Sequence, residues 1–414
     1  MTHRALSTAS RGSRTLAGVV AAALAAAVLS ACGAPTGPSP AATSAITPAK
    51  PSSPLKLTVL DGGGDLKGGG QAAIEAFVKT NPDLVSSVDY QTAAGTDVTG
   101  KIKAQQLGGS VSTSLVLGGP DVLGAAEAQH VLLQQLPQQA HSLPELTSVQ
   151  DPDRAGFQKL SGGYGLLIGY DQNGPFLDYN PSILTSAQVP TTPAALLAWA
   201  KEHPGRFAYA DPNNSGSGRA FIEALPYLLG DADPSDPANG WGKTWTYLAQ
   251  LGQYVSSYPT SSTLLAQQFG SGQLAMIPTV ISHDISFRQS NTYPADTGIA
   301  LFSDQAWITD GHYAMVPAGV SPETLYVDLK LEAFMVSAQA QTMRLGTGVL
   351  TSANKNVTID NAGPAVTAFV QKWGRPDFYP AALRTGAVHT PLTPSALQAA
   401  FALWQRNVGA KVGG

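Results

Sequence analysis

A two-lobed α/β protein with a parallel sheet covered on both faces is the architecture that three observations point to. Short β-branched runs alternate with helical patterns through the first half of the chain, the order that builds parallel sheets. The 414 residues exceed one ordinary domain, at roughly 100–200 residues each, and suggest two lobes. Hydrophobic residues make up 43%, enough for a core, while charged residues are 13% and Gly and Pro number 43 and 30, which implies many turns.

The elements follow in order. Residues 55–60 alternate as a strand and break at Asp61-Gly62-Gly63-Gly64, after which Ile74, Phe77 and Val78 share one face of a helix over about 69–80. Residues 88–91 and 114–117 read as strands with a helix through Ile102 and Leu107 between them, and Gly118-Gly119-Pro120-Asp121 opens another helix. Residues 164–170 are a strand, and the turn cluster 171–175 is where the chain leaves the first lobe. Thr192 caps a helix with Pro193 at its first position, and a stop follows at Pro204-Gly205. Residues 206–210 read as a strand before the loop 211–218 and a helix that should kink at Pro226. A third α/β stretch covers 241–276, a strand lies near 312–317, and helices fill 325–338, 365–373 and 394–406.

Charge excludes a class of function. The formal net charge is −4, and without the first 31 residues the chain holds 21 basic and 28 acidic side chains, so nucleic acid would be repelled. Those 31 residues carry Arg4, Arg11 and Arg14, then an uncharged run over 16–31 of signal-peptide length. The run ends Leu29-Ser30-Ala31-Cys32, with the chain's single cysteine last, which excludes internal disulfides and Cys-based metal clusters. This end resembles the lipobox of bacterial lipoproteins, which implies lipidation at Cys32 and a two-chain anchor in the membrane. Residues 32–54 are rich in Pro, Ser, Thr, Ala and Gly and read as an extended, solvated tether, with the folded part starting near Leu55.

Enzyme templates fail. Gly242-Lys243-Thr244 lacks the glycine of a P-loop, because Pro237 stands in its place, and a capped helix start is the better reading. No GxSxG elbow surrounds Ser217, the seven histidines show no ligand-like spacing, and Asp231, Asp233 and Asp236 lack the Glu of a calcium loop. No metal, cofactor or catalysis is expected. What remains are Gly/Ser loops at strand ends ahead of helices, at 61–64, 118–121 and 214–219, where backbone N–H groups approach a ligand closely. Ser215 and Ser217 add hydroxyls and Arg219 a cation. Tyr164, Tyr258, Trp241 and Trp307 lie in turn-like stretches where a ring could stack on a flat or cationic ligand, though a core role suits each as well.

Taken together, residues 55–410 resemble a type II extracellular solute-binding protein of an ABC importer, in the branch that includes iron, thiamine and polyamine binders. The order and spacing of several stretches carry the likeness: 57–64, 115–121 with 130–136, 190–197 leading to 205–212 and Ser215-Gly216-Ser217-Gly218, 269–276, 313–317 and 332–339. The resemblance implies two lobes joined by two hinge crossings and closing over a small solute. Lobe 1 is then 55–170 with 312–414, and lobe 2 is 171–311. It implies that Asp61, Gly62, Gly63 and Gly64 grip the solute from the first lobe and Ser215, Gly216, Ser217, Gly218 and Arg219 from the second, with Thr279 and Trp307 beside them. It also implies a monomer on the extracellular face of the bacterial cytoplasmic membrane that serves an ABC permease and its ATPase subunit. The chain lacks the adjacent Tyr-Tyr pair of iron binders and the dense acidic lining of polyamine binders, and Arg219 favours a solute with a carboxylate or phosphate, while a thiamine-like ligand stays open. A Ser215- or Ser217-dependent hydrolase and a surface lipoprotein without ligand are the rival readings, the latter favoured if loops 61–64 and 214–219 lie far apart.

Overall fold

The computed structural model describes residues 46–411, so the leader, Cys32 and the first part of the tether lie outside the described residues. Nine strands form two sheets among them. β1 (Leu55–Asp61), β2 (Val85–Thr92), β3 (Leu115–Gly118), β4 (Leu166–Gly174), β8 (Ala306–Met315) and β9 (Ala387–His389) make the larger, in the order β2-β1-β3-β8-β4 with β9 on β8. β5 (Phe176–Tyr179), β6 (Met276–Thr279) and β7 (Gly298–Ala300) make the smaller, in the order β6-β5-β7.

The larger sheet is mixed where a parallel one was expected. β1 runs parallel to β2 and β3, but β8 returns antiparallel between β3 and β4. Alternation sorts its side chains as the period of 2 demands: Leu57, Val59, Leu115 and Leu117 enter one apolar layer, and Leu60, Val116 and Leu167 the other. Both faces are therefore covered.

Two further expectations differ from the structure. Residues 207–210 are buried, but the stretch 206–210 forms only an isolated bridge, Phe207 to Met276, with Ala275 N donating to Arg206 O before the chain turns away into the loop ahead of Ser215. β5 stands directly after the residues that read as a turn; Pro175 separates it from β4, so the chain passes from one sheet to the other within a single residue. It returns between β7 and β8. The two connections touch, since Gln305, just before β8, donates from Nε2 to the Pro175 carbonyl at 2.8 Å.

The ordered chain also begins earlier than Leu55. The Ile46 carbonyl accepts from Gln139, Ala49 N donates to the Pro322 carbonyl at 3.0 Å, and Pro51 is buried. At the other end, the helix Pro394–Asn407 buries Leu397, Phe401 and Trp404 in the apolar cluster around the smaller sheet, with Trp404 Nε1 donating to the Tyr209 hydroxyl. The same helix meets the helix Pro120–Ala128, where a Cβ on Gly124 would come 3.0 Å from Pro394. This last helix thus touches both halves and not the first lobe alone.

The helix Pro322–Met335 carries an acid pair one turn apart, Asp328 and Glu332, both buried. Glu332 Oε1 accepts from Gln135 Nε2 at 3.0 Å, while Glu332 Oε2, Gln135 Oε1 and both Asp328 oxygens lack a donor. Burial, opposed by the Gln135 hydrogen bond, pushes the Glu332 carboxyl up to about 8, and burial with the Glu332 charge raises Asp328 well above the ordinary range. In its protonated form each carboxyl is uncharged and carries an O–H donor. A carboxyl raised on folding costs stability as pH climbs from its unfolded value of 4.5 toward 8. Glu332→Gln removes that cost, and calorimetry should show its Tm exceeding the wild type's by roughly 3–6 °C at pH 8 and matching it near pH 4.5.

Candidate functional site

β1 delivers Asp61 to the edge of the larger sheet, and the loop after it folds around that carboxylate. Asp61 accepts backbone N–H bonds from Gly63 (3.0 Å), Gly64 (2.9 Å), Asp65 (3.1 Å) and Leu66 (3.0 Å). Burial and the Asp65 charge raise the Asp61 carboxyl, against the pull of those N–H groups. Asp61 therefore shapes the loop, and its oxygens are committed to it. Gly63 is the point of contact outward: a Cβ there would stand 3.1 Å from Gly118 Cα and 3.3 Å from Gly119 N. Gly119 in turn faces Arg219, whose guanidinium a Cβ would meet at 3.5 Å.

The second rim is the start of the helix Gly216–Leu229. Ser215 caps it by accepting from Gly218 N at 3.1 Å, and its hydroxyl also bonds Ser217 Oγ at 3.1 Å and Ser262 Oγ at 2.7 Å. Those partners include no histidine, so Ser215 is built as a cap. Gly218 must be glycine, because a Cβ would fall 2.1 Å from the Ala210 carbonyl oxygen. One residue on, Arg219 donates to Asp121 Oδ1 at 2.9 Å and to Asp310 Oδ2 at 2.6 Å, with only 5% of the residue exposed. Asp121 belongs to the helix Pro120–Ala128 behind β3, and Asp310 to β8. The loops at 118–121 and 214–219 thus meet at the Arg219 guanidinium, and the loop at 61–64 lies against the first of them through Gly63.

From Asp310 the network spreads. Asn173 Nδ2 on β4 donates to Asp310 Oδ2 at 3.4 Å, and His312 Nε2 stands 4.0 Å from the same atom. His312 Nδ1 lies 2.8 Å from Asp65 Oδ2, and Arg344 donates to Asp65 Oδ1 at 3.2 Å. Burial lowers the His312 pKa, but Asp65 and Asp310 outweigh it and hold the imidazole protonated up to about 9. Burial likewise raises Asp65, yet His312 and Arg344 bring its carboxyl below the ordinary range. Two acids nearby feel the same cations only at longer range. Burial raises Asp171 despite Arg344, His312 and Thr351, and burial raises Glu223 to about 7 despite Arg219. His283, whose surroundings include Asp310, His312 and Arg219, is driven by burial down to about 4 and is neutral at pH 7.

Other expected residues lie elsewhere. Trp307 is fully enclosed with Phe176, Ile281 and Tyr379, and its indole N–H donates to the Thr385 carbonyl, so it is a core residue. Thr279, at the end of β6, is buried opposite Phe176. Trp241 is buried with its indole donating to Pro234, and Tyr258 packs against Tyr209 and Trp404. The start of the helix Gly242–Leu251 is capped from a distance by Asp231, which accepts from Lys243 N and Thr244 N. A hollow of about 940 Å³ beside Leu136, Leu146, Pro152 and Lys355 includes none of the expected residues. The residues that sequence reasoning missed are Asp65, Asn173, Glu223, His283, Asp310, His312 and Arg344. None sits in a motif. The carboxylates paired with Arg219, His312 and Arg344 come from positions 65, 121 and 310, where no local pattern joins them.

A family model described as bacterial extracellular solute-binding protein matches residues 72–373. No curated protein matches in sequence. Several solved structures share the fold at low identity. An ABC transporter from Clostridium perfringens matches with a TM-score of 0.61 at 13% identity, over 86% of this chain and 100% of that one. A periplasmic thiamin binding protein gives 0.58 at 17%, over 87% and 99%. Iron-bound HitA from Pseudomonas aeruginosa gives 0.57 at 16%, over 86% and 100%. The two sheets joined by two connections are the type II periplasmic-binding-protein architecture that the sequence suggested. With the matched segment spanning most of its length, this chain belongs to the bacterial extracellular solute-binding protein family.

Proposed function

We propose that the protein is a lipid-anchored receptor that captures a small polar solute between two lobes and delivers it to an ABC importer, a permease with its ATPase subunit. It works as a monomer on the extracellular face of the bacterial cytoplasmic membrane. Lobe 1 comprises 55–170 with 312–414 and lobe 2 comprises 171–311; Cys32 carries the lipid, and no catalysis is involved. The observation that carries the reading is the pairing of Arg219, on a helix beside the smaller sheet, with Asp310 of the larger sheet and with Asp121 of the helix that follows β3. A contact of that kind makes and breaks as two halves close and open. Solute then acts by population shift, binding the closed form more tightly than the open one. Gly62, Gly63 and Gly64 border the cleft from lobe 1, and Ser215, Gly216, Ser217, Gly218 and Arg219 from lobe 2.

The same network gives the closed form a pH range. His312 has a folded pKa of about 9 against 6.5 unfolded, so its contribution is complete below 6.5 and lost as pH rises through 9. In His312→Gln, thermal unfolding followed between pH 6.5 and 9.5 should lose most of that pH dependence. For the function itself, a saturating solute at 100 times its Kd should raise the unfolding free energy by about 2.7 kcal/mol. A thermal-shift screen across sugars, amino acids, amines, anions, thiamine forms and ferric chelates should yield such a stabilising compound, and silence across every class would sink the proposal. Cys32→Ser should abolish labelling by an alkyne fatty acid and move the protein from the membrane fraction to the medium.

A further inference from the structure

We propose that the solute is an organic cation and that the Arg219 guanidinium is the chain's own substitute for it, seated between Asp121 and Asp310 in the closed, solute-free protein. The inference rests on the solute-binding reading above and adds the chemical class.

Arg219 cannot serve an anionic solute at low cost. Both of its bonds go to carboxylates, at 2.9 Å and 2.6 Å, and both partners are tucked in beside it. Withdrawing the guanidinium toward an anion would leave Asp121 and Asp310 facing each other without a counter-ion, and an unpaired buried charge is among the most destabilising features a protein can hold. The surroundings repeat the message. Five acids, Asp65, Asp121, Asp171, Glu223 and Asp310, stand around three cations, Arg219, His312 and Arg344. The two acids without a close cationic partner are those whose carboxyls are raised, as expected where positive charge is in short supply.

Unpartnered atoms point the same way. Asn173 Oδ1 and Glu223 Oε2 are buried acceptors without donors, on residues 5% and 3% exposed, and each residue is tied to the Arg219 network. A carboxylate or phosphate solute brings more acceptors and satisfies neither. An ammonium or guanidinium compound brings N–H donors and positive charge, the two things these acceptors lack. The two helix N-termini that meet here, which would otherwise attract an anion, already face Asp121 and Asp310. In the loaded state the solute's cation takes the seat between Asp121 and Asp310, and Arg219 moves aside.

The test measures thermal shifts and calorimetric affinities of the full chain with agmatine and putrescine as cationic probes, succinate and inorganic phosphate as anionic ones, and glucose as a neutral one. Agmatine should stabilise the wild type in a dose-dependent and salt-sensitive way. Arg219→Ala, with the seat empty, should bind methylguanidinium at least tenfold more tightly than the wild type does, and Asp310→Asn should lose agmatine binding at least tenfold. Should Arg219→Ala fail to fold, Arg219→Lys serves in its place, and agmatine should bind it more tightly than the wild type because a single ammonium fills the seat less well. Stabilisation by succinate, phosphate or glucose with indifference to both amines would overturn the cationic class and leave the solute-binding reading standing. Indifference to every probe, with methylguanidinium also ignored by the Arg219 variant, would overturn the class. Failure of the wider screen described above would overturn the receptor reading itself.

Discussion

A single buried guanidinium, held by two carboxylates from different parts of the chain, is the constraint around which the rest of this molecule is arranged. Arg219 sits one turn into a helix beside the smaller sheet; Asp121 and Asp310 come from the larger. Glycines stand at 63 and 218 because neighbouring backbone approaches more closely than a side chain allows, and at 118 and 119 because the side chains of Val122, Asp121 and Arg219 crowd the space. Ion pairs of this kind add little net stability compared with an apolar filling, yet losing one member costs about 3–5 kcal/mol. What this one sets is register, since it ties the helix Gly216–Leu229 to β8 and to the helix after β3.

The flanking His312, Asp65 and Arg344 extend that register into the larger sheet. His312 stands between Asp65 and Asp310, so one imidazolium links the loop after β1 to the strand that carries Arg219's partner. Asp61 stiffens the same loop from beneath by gathering four N–H groups. The acid pair Asp328 and Glu332 belongs to a different regime. It lies in the apolar layer of the larger sheet and is held neutral by burial, which separates the pH response of the core from that of the cleft.

Much of the fold was legible because it is local. Alternation marked β1 and β3, Thr192 with Pro193 marked a helix start to the residue, and the Gly/Ser loop before Arg219 marked another. What stayed hidden was non-local. Nothing in residues 306–315 says that they run antiparallel between two other strands, and the four residues of β5 are too few for a period to show. The site followed the same division. Arg219 and the glycine loops stood out by composition, whereas Asp65, Asp310, His312 and Arg344 acquire meaning only by proximity across as many as 279 positions. Arg219 and Asp121 were each visible in a glycine-bordered loop, but their pairing with each other and with Asp310 was not.

The hydrogen bond from Gln305 to the Pro175 carbonyl joins the two segments that run between the sheets. Strands that are fastened side by side cannot bend independently. In the opening proposed above, the two segments would turn together, like a door on paired pins, and the edge near Gln305 would keep its spacing.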